Sequence, residues 1–324
     1  MHSFLRSQLP LLAATGLLIA LFGLLVPNFF TANNLLDLAQ QIGVNTILAF
    51  GMTLVILIGG IDLSVGALVA MVGTVTTFCL VRTTGPGGEV IGLGLPLPLA
   101  MLAGFAAAGL MGLFHGVAVA KTRMPAFIVT LGTMMIARGA ALRFNEGRPL
   151  SLPGSQEAYL AIGNGRLFDV IPVPVLILLG IYLLAAAMLH FTVFGRHLYA
   201  IGDNRLAAIY SGIPVVRCEI WVFILSALLA ATAGMIHSSQ LYGAEPASGK
   251  EFELNAIAAA VVGGASLRGG RGTMTGTLLG AIIIGILDKG LNQAGVHFSL
   301  QYIIKGAVIL AAVWWDARKR AQEA

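Results

Sequence analysis

Apolar runs recur along this chain so closely that little else fits between them. Ten can be marked off: Leu9 to Val26, Leu38 to Ile58, Leu63 to Val81, Leu97 to Ala120, Ala126 to Leu142, Val173 to Phe194, Glu219 to Ser238, Leu254 to Ser266, Gly276 to Leu291 and Leu300 to Trp315. A helix needs roughly 20 apolar residues to cross the hydrocarbon of a bilayer. The gaps leave no room for a soluble domain of about 100 residues. With 57% hydrophobic and 10% charged residues among 324, and a mean hydropathy of +0.90, the polar side chains cannot cover a water-facing exterior. The expected architecture is one all-α integral membrane domain over residues 1–324, with about ten transmembrane helices including short or broken segments. The first run is longer than a usual signal h-region and has no small-residue cleavage site before Pro27, so it is expected to remain as an uncut helix.

The formal charge of +5 does not point to a nucleic-acid partner, because Lys and Arg are scattered through short loops without a basic stripe. Charge instead reports orientation. On this topology Lys121, Arg123, Arg196, Arg205, Arg217, Arg268, Arg271, Arg318, Lys319 and Arg320 fall on one side, against Arg82, Arg143, Arg148, Arg166 and Lys250 on the other. The positive-inside rule then puts both termini in the cytoplasm. Cys79 and Cys218 land at opposite faces, too far apart to pair, and are read as buried small side chains.

Two places strain a simple count of crossings. Leu38 to Val81 is 44 residues, which at about 1.5 Å each barely supplies two passages of roughly 30 Å and a turn. Leu254 to Ser266 is too short to cross alone and ends in GGASLRGGRGT, so a half-helix is expected. Glycine-broken apolar segments mark a transport path, because irregular backbone at membrane depth is tolerated only against protein or a wet cavity. The stretches ILIGGIDLSVG and AVVGGASLRGG also share a faint likeness. Gly104, Ala108, Gly112 and Gly116 form one seam of small residues, and Gly272, Gly276 and Gly280 another; both predict close helix contacts.

Asp62 stands out within GGIDLSVGALVAMVG. A charge at the bilayer centre is expensive, so the residue is expected near a face, in a pair, or capping the next helix with its side chain. Lining a path together with Ser64 is the functional alternative. Asp288, Lys289 and Lys305 are placed to neutralise one another, and His115 reads as a packing residue. No HExxH, GxSxG or GxxxxGK[ST] is present, so neither an enzyme nor an ATP-binding loop is indicated.

The segment Phe194 to Arg217 is the most informative soluble piece. Asn204 to Ser211 reads as a short helix, opened by the turn at Gly202 to Asn204 and stopped by Gly212 with Pro214 behind it. A lone surface helix of this length is marginal, so it should rest on the bundle or on a partner. Four ordered motifs, GMTLVILIGGIDLSVG, MPAFIVTLGTMMIARG, GRHLYAIGDNRLAAIYSGI and AIAAAVVGGASLRGGRGTMTGTLLGA, resemble the membrane permease subunits of ribose-type monosaccharide ABC importers over nearly the whole chain.

That resemblance implies two permease copies, identical or paralogous, a separate cytoplasmic ABC ATPase carrying ATP and Mg, and a periplasmic sugar-binding protein, in the inner membrane of a bacterium. No cofactor or metal is implied for this chain. It also implies an ATPase-coupling segment within residues 194–217, with Gly195, Arg196, Asn204, Ala207, Ala208, Ser211 and Gly212 as its contact residues. The outer loop from Phe144 to Pro172 is expected to help receive the binding protein.

The membrane segments offer neither a cluster of Arg and Lys for an anion nor an acidic ring for a cation, which favours a neutral, hydroxyl-rich solute. Asn45, Thr46, Thr53, Asp62, Ser64, Thr130 and Asn255 are the candidate polar groups of the path, with Phe127 and Phe252 as apolar contacts. Alternatives are a proton-coupled secondary carrier using Asp62 or Asp288 and, within the resembling family, cargo such as autoinducer-2, a nucleoside or an inositol.

Overall fold

A computed structural model describes residues 2–84, 90–144 and 146–323; the side chains of residues 2–8, 315–317 and 319–323 lie outside that description. So do residues 85–89 of the Thr83 to Pro96 loop. The helices are α1 (His2–Leu25), α2 (Ala32–Leu57), α3 (Val65–Leu80), α4 (Leu97–Thr122), α5 (Ala126–Arg143), α6 (Glu157–Asn164), α7 (Val173–Phe191), α8 (Val193–Asp203), α9 (Arg205–Tyr210), α10 (Val215–Gln240), α11 (Phe252–Val262), α12 (Met274–Gln293) and α13 (Phe298–Glu323). Nine of the ten apolar runs each coincide with one helix. Six helices, α2, α4, α5, α7, α10 and α12, are long and apolar enough to cross a membrane. Strand structure among the described residues is confined to short antiparallel pairs, such as Leu150–Ser151 with Gly243–Ala244.

Burial sorts the helices. Every residue of α2 from Thr46 to Leu57 is buried, as befits a helix apolar on all sides. By contrast, α7 buries only Pro174, Ala185 and Leu189. The centre is α10, packed on α2, α3 and α4. Its contact with α4 runs along the predicted small-residue seam: a Cβ on Gly112 would lie 2.7 Å from the Phe223 carbonyl oxygen, and one on Gly116 would lie 2.6 Å from Ile220 Cα. The second seam brings α12 against α11, with Gly280 facing the Ala259 carbonyl. Without a hydrophobic drive between helices in lipid, such backbone approach is what holds them together.

The two glycine-broken segments close in the same way. Gly59 N–H donates to Ile56 O (2.8 Å) and Gly60 N–H to Val55 O (2.9 Å); Gly264 N–H donates to Val261 O (2.9 Å) and Ala265 N–H to Ala260 O (2.9 Å). Both are Schellman closures, with Gly59 (φ +78°) and Gly264 (φ +90°) at the left-handed position that glycine reaches without a Cβ penalty. The likeness of the two sequence stretches is therefore a shared way of ending a helix inside the bundle.

One expectation changes. The run Val173 to Phe194 is not one helix: it breaks at Thr192, whose hydroxyl accepts from Gly195 N–H (3.1 Å) and starts α8. The Phe144 to Pro172 loop carries a helix of its own. Within it α6 packs beneath α10, with Tyr159 fully buried; the Tyr159 hydroxyl meets Ser238 Oγ at 2.6 Å, and Gly163 N–H donates to Ser239 Oγ at 2.9 Å.

Candidate functional site

Three places gather the residues singled out in the sequence. The first is the break between α2 and α3. Asp62 is fully buried, and its side chain does not cap α3; the cap position is Ser64, which makes no side-chain cap bond. Instead Asp62 Oδ1 accepts from Ser64 N–H (2.9 Å) and Ser64 Oγ (2.6 Å), and Oδ2 accepts from Ser226 Oγ of α10 (3.2 Å). A buried carboxylate with several donors satisfies its lone pairs locally. Thr130 of α5 ties the same loop down, accepting from Leu63 N–H at 3.1 Å.

His115 is not isolated, as its position in the sequence suggested. Its Nε2 meets Thr133 Oγ1 at 2.6 Å, and its ring stands edge-on to Phe223 of α10, centroids 6.1 Å apart. These partners come from α5 and α10, which no spacing within α4 could reveal.

The second place is a pocket between α2, α11 and α12. Asn45 and Asn255 come together there, joined by Gln41 and Asp288, with Ile42 and Ile284 among the apolar walls. Its free volume is about 20 Å³. Asn45 Oδ1 is buried with no hydrogen-bond partner among the described residues. Lys305 Nζ of α13 stands 3.2 Å from Asp288 Oδ1, so the expected charge neutralisation is formed by these two.

The remaining path candidates lie elsewhere. Thr46 Oγ1 donates to its own helix at Ile42 O (2.8 Å), and Thr53 Oγ1 meets Thr277 Oγ1 at 2.6 Å inside the α2–α12 contact. Phe252 packs edge-on against His237, ring centroids 5.3 Å apart. Phe127 is 51% exposed on the outside of the bundle. Gln41 was missed, although it sits four residues before Asn45 on the same helix face, a signal the sequence did contain.

The third place is the surface built by α8 and α9. Asn204 caps α9, its Oδ1 accepting from Ala207 N–H (3.0 Å), and Ser211 with Gly212 (φ +78°) ends it. Helix α8 buries Gly195, Leu198 and Ile201. Its last turn meets the glycine-rich loop: Gly270 N–H donates to Leu57 O (2.9 Å), and a Cβ on Gly202 would lie 1.8 Å from that oxygen. Tyr199 donates to Gly272 O (2.8 Å), and burial pushes its phenol above the usual range, keeping it a donor. Arg205 grips Glu219 of α10 with Nε–Oε1 at 2.8 Å and Nη2–Oε2 at 3.1 Å. Outward, α9 leaves apolar side chains uncovered: Leu206 is 65% exposed, Ile209 42% and Tyr210 89%. Of the two alanines, Ala208 is buried against the bundle and Ala207 faces out.

This arrangement can be compared with known proteins. The family described as branched-chain amino acid transport system / permease component matches residues 34–313. The chain is 44% identical over 311 residues to the ribose import permease protein RbsC of Escherichia coli (strain K12), covering 95% of this chain and 93% of that protein. It is 41% identical over 305 residues to the protein of the same name in Bacillus subtilis (strain 168), covering 94% and 91%. The xylose transport system permease protein XylH of Escherichia coli (strain K12) is 34% identical, covering 89% and 86%. No solved structure matches the chain. With a match running from α2 into α13, the chain belongs to the permease-component family of the branched-chain amino acid transport system, an integral membrane transport subunit and not an enzyme.

Proposed function

We propose that the chain is the permease subunit of an ATP-driven importer that moves a neutral monosaccharide from periplasm to cytoplasm across the bacterial inner membrane. The observation that carries this reading is the nearly full-length likeness to ribose and xylose permeases, which sets the sugar ahead of the amino acid named in the family description. The chain crosses the membrane about ten times, counting its shorter apolar helices, with both termini in the cytoplasm. A second copy completes the path, a binding protein delivers the sugar, and a separate ATPase bears ATP and Mg.

The coupling surface is α8 with α9. Exposed Leu206, Ile209 and Tyr210 give that surface the apolar patch a partner covers, while Gly202 and Tyr199 connect it to the closures of α2 and α11. Closure of the ATPase then pushes on the two places where helices end inside the bundle, shifting the balance between outward and inward forms. Asn45 and Asn255 face the sugar. Asp62, Ser64, Thr130 and Thr53 hold the shape of the bundle around it.

A second reading, a proton-coupled carrier, draws support from the carboxylate of Asp62, buried inside the bundle. One experiment separates the two. The permease is purified with the ATPase and binding protein encoded beside it, reconstituted in proteoliposomes, and tested with labelled D-ribose and D-xylose. Uptake that requires ATP and ignores a protonophore is expected. Uptake by the permease alone, collapsed by the protonophore, would overturn the proposal.

A further inference from the structure

The pocket between α2, α11 and α12 has chemistry beyond helix packing. Gln41, Asn45, Asn255 and Asp288 all sit on helices, yet they converge on one small space. Polar groups at membrane depth avoid lipid and gather where water or a solute passes. The free volume of about 20 Å³ exceeds the ~10–15 Å³ that a cavity needs to hold one water, so it admits one hydroxyl and no whole sugar.

Charge narrows the ligand. Asp288 is the acid of the pocket, and Lys305 neutralises it at 3.2 Å, leaving no net charge to favour an ion. The carboxamides offer both donors and acceptors. Asn45 Oδ1 in particular is buried without a partner, a state that costs free energy until a donor arrives. A hydroxyl is the small neutral group that gives a hydrogen to Asn45 Oδ1 and takes one from a neighbouring amide. A methyl group would satisfy neither.

We infer that Gln41, Asn45, Asn255 and Asp288 form a hydroxyl-reading subsite on the transport path, which selects polyhydroxyl solutes after the binding protein has released them. This rests on the sugar-import reading given above. Asn45 and Asn255 contact the hydroxyl, Gln41 borders the pocket, and Asp288 with Lys305 keeps it neutral.

The test uses the complete reconstituted importer with saturating loaded binding protein, and measures initial uptake of D-ribose and each of its monodeoxy analogues. Asn45→Ala is expected to slow D-ribose uptake about tenfold, the worth of one such hydrogen bond, while binding-protein-stimulated ATP hydrolysis persists. For the one analogue lacking the hydroxyl that is read, wild type is already slow and the variant is no slower. Asn255→Ala shows the same pattern, and Asn45→Thr restores part of the rate. If the alanine at 45 prevents assembly, Asn255→Ala and Asn45→Thr carry the measurement alone. Unchanged D-ribose uptake, or an equal loss for every analogue, overturns the subsite and leaves the import reading standing. Wild-type complex that takes up neither D-ribose nor D-xylose overturns the import reading, and the subsite with it.

Discussion

The guanidinium of Arg205 and the carboxylate of Glu219 form a two-bond fork that fastens the short helix α9 to the first turns of α10. The two partners are unequally wet: the Glu219 side chain is 7% exposed and that of Arg205 35%. Removing the arginine strands a buried carboxylate, whereas neutralising the acid frees an arginine that turns to water. Arg205→Ala should therefore destabilise by about 2 kcal/mol, below the ~3–5 kcal/mol for a fully buried pair because water screens this one. Glu219→Gln should cost less than half of that. Thermal unfolding of the detergent-solubilised permease checks the order, and equal losses from both variants would count against it. Arg205→Lys should recover little, since an ammonium cannot make the fork.

Neighbouring alanines in α9 should behave differently. Ala207 faces out and Ala208 is buried in the bundle. Glutamate at 207 points away from the bundle, toward the proposed ATPase, so Ala207→Glu is expected to leave the unfolding midpoint unchanged and to abolish sugar-stimulated ATP hydrolysis in the reconstituted complex. Ala208→Glu forces a charge into the α9–bundle contact and lowers the midpoint itself. If Ala207→Glu couples normally, α9 is not the surface that the ATPase holds.

Most of the helix inventory was legible in the sequence because apolar runs, Gly-Gly stops and the Asn204 to Gly212 caps are local signals. What decided the sites was not local. Asp62 and Ser226 are 164 positions apart, and Asn45 and Asn255 line one pocket only because α11 packs against α2. The break at Thr192 was hidden by an apolar sequence that continues through it. Hydropathy reports where the chain prefers lipid, and is silent about which polar groups the bundle turns toward one another.

Glycines along the chain should divide by what their missing Cβ would meet. At Gly202 a Cβ would lie 1.8 Å from Leu57 O and 2.3 Å from Gly270 N, whereas at Gly132 nothing lies within 4 Å. Gly202→Ala must push apart the end of α8 and the hydrogen bond joining Leu57 to Gly270. Overpacking of this kind costs about 1–3 kcal/mol or more, and here it falls on the junction proposed to carry the push of the ATPase. Gly132→Ala, in open space on α5, should be neutral or stabilising by up to about 1 kcal/mol. Expression, unfolding midpoint and ATP-driven uptake of the two variants provide the comparison; a harmless Gly202→Ala would remove the junction from the coupling route.

Asp62 offers the sharpest separation between a structural and a proton-carrying role. Its carboxylate accepts three hydrogen bonds that hold the α2–α3 break against α10. Alanine would leave the Ser64 amide and two buried hydroxyls without that acceptor, each at about 1–3 kcal/mol, offset in part by no longer burying a charge. Asparagine keeps an acceptor for Ser64 through its Oδ1, and its amide can donate to the Ser226 hydroxyl, which rotates to accept. Stability and uptake should therefore fall together in Asp62→Ala, fall slightly in Asp62→Asn, and fall by about 1 kcal/mol in Ser226→Ala. A proton-carrying carboxylate predicts another pattern: Asp62→Asn would fold as well as wild type and transport nothing. Measuring unfolding midpoints and sugar uptake on the same preparations distinguishes the two, because only the structural role ties activity to the stability of the break.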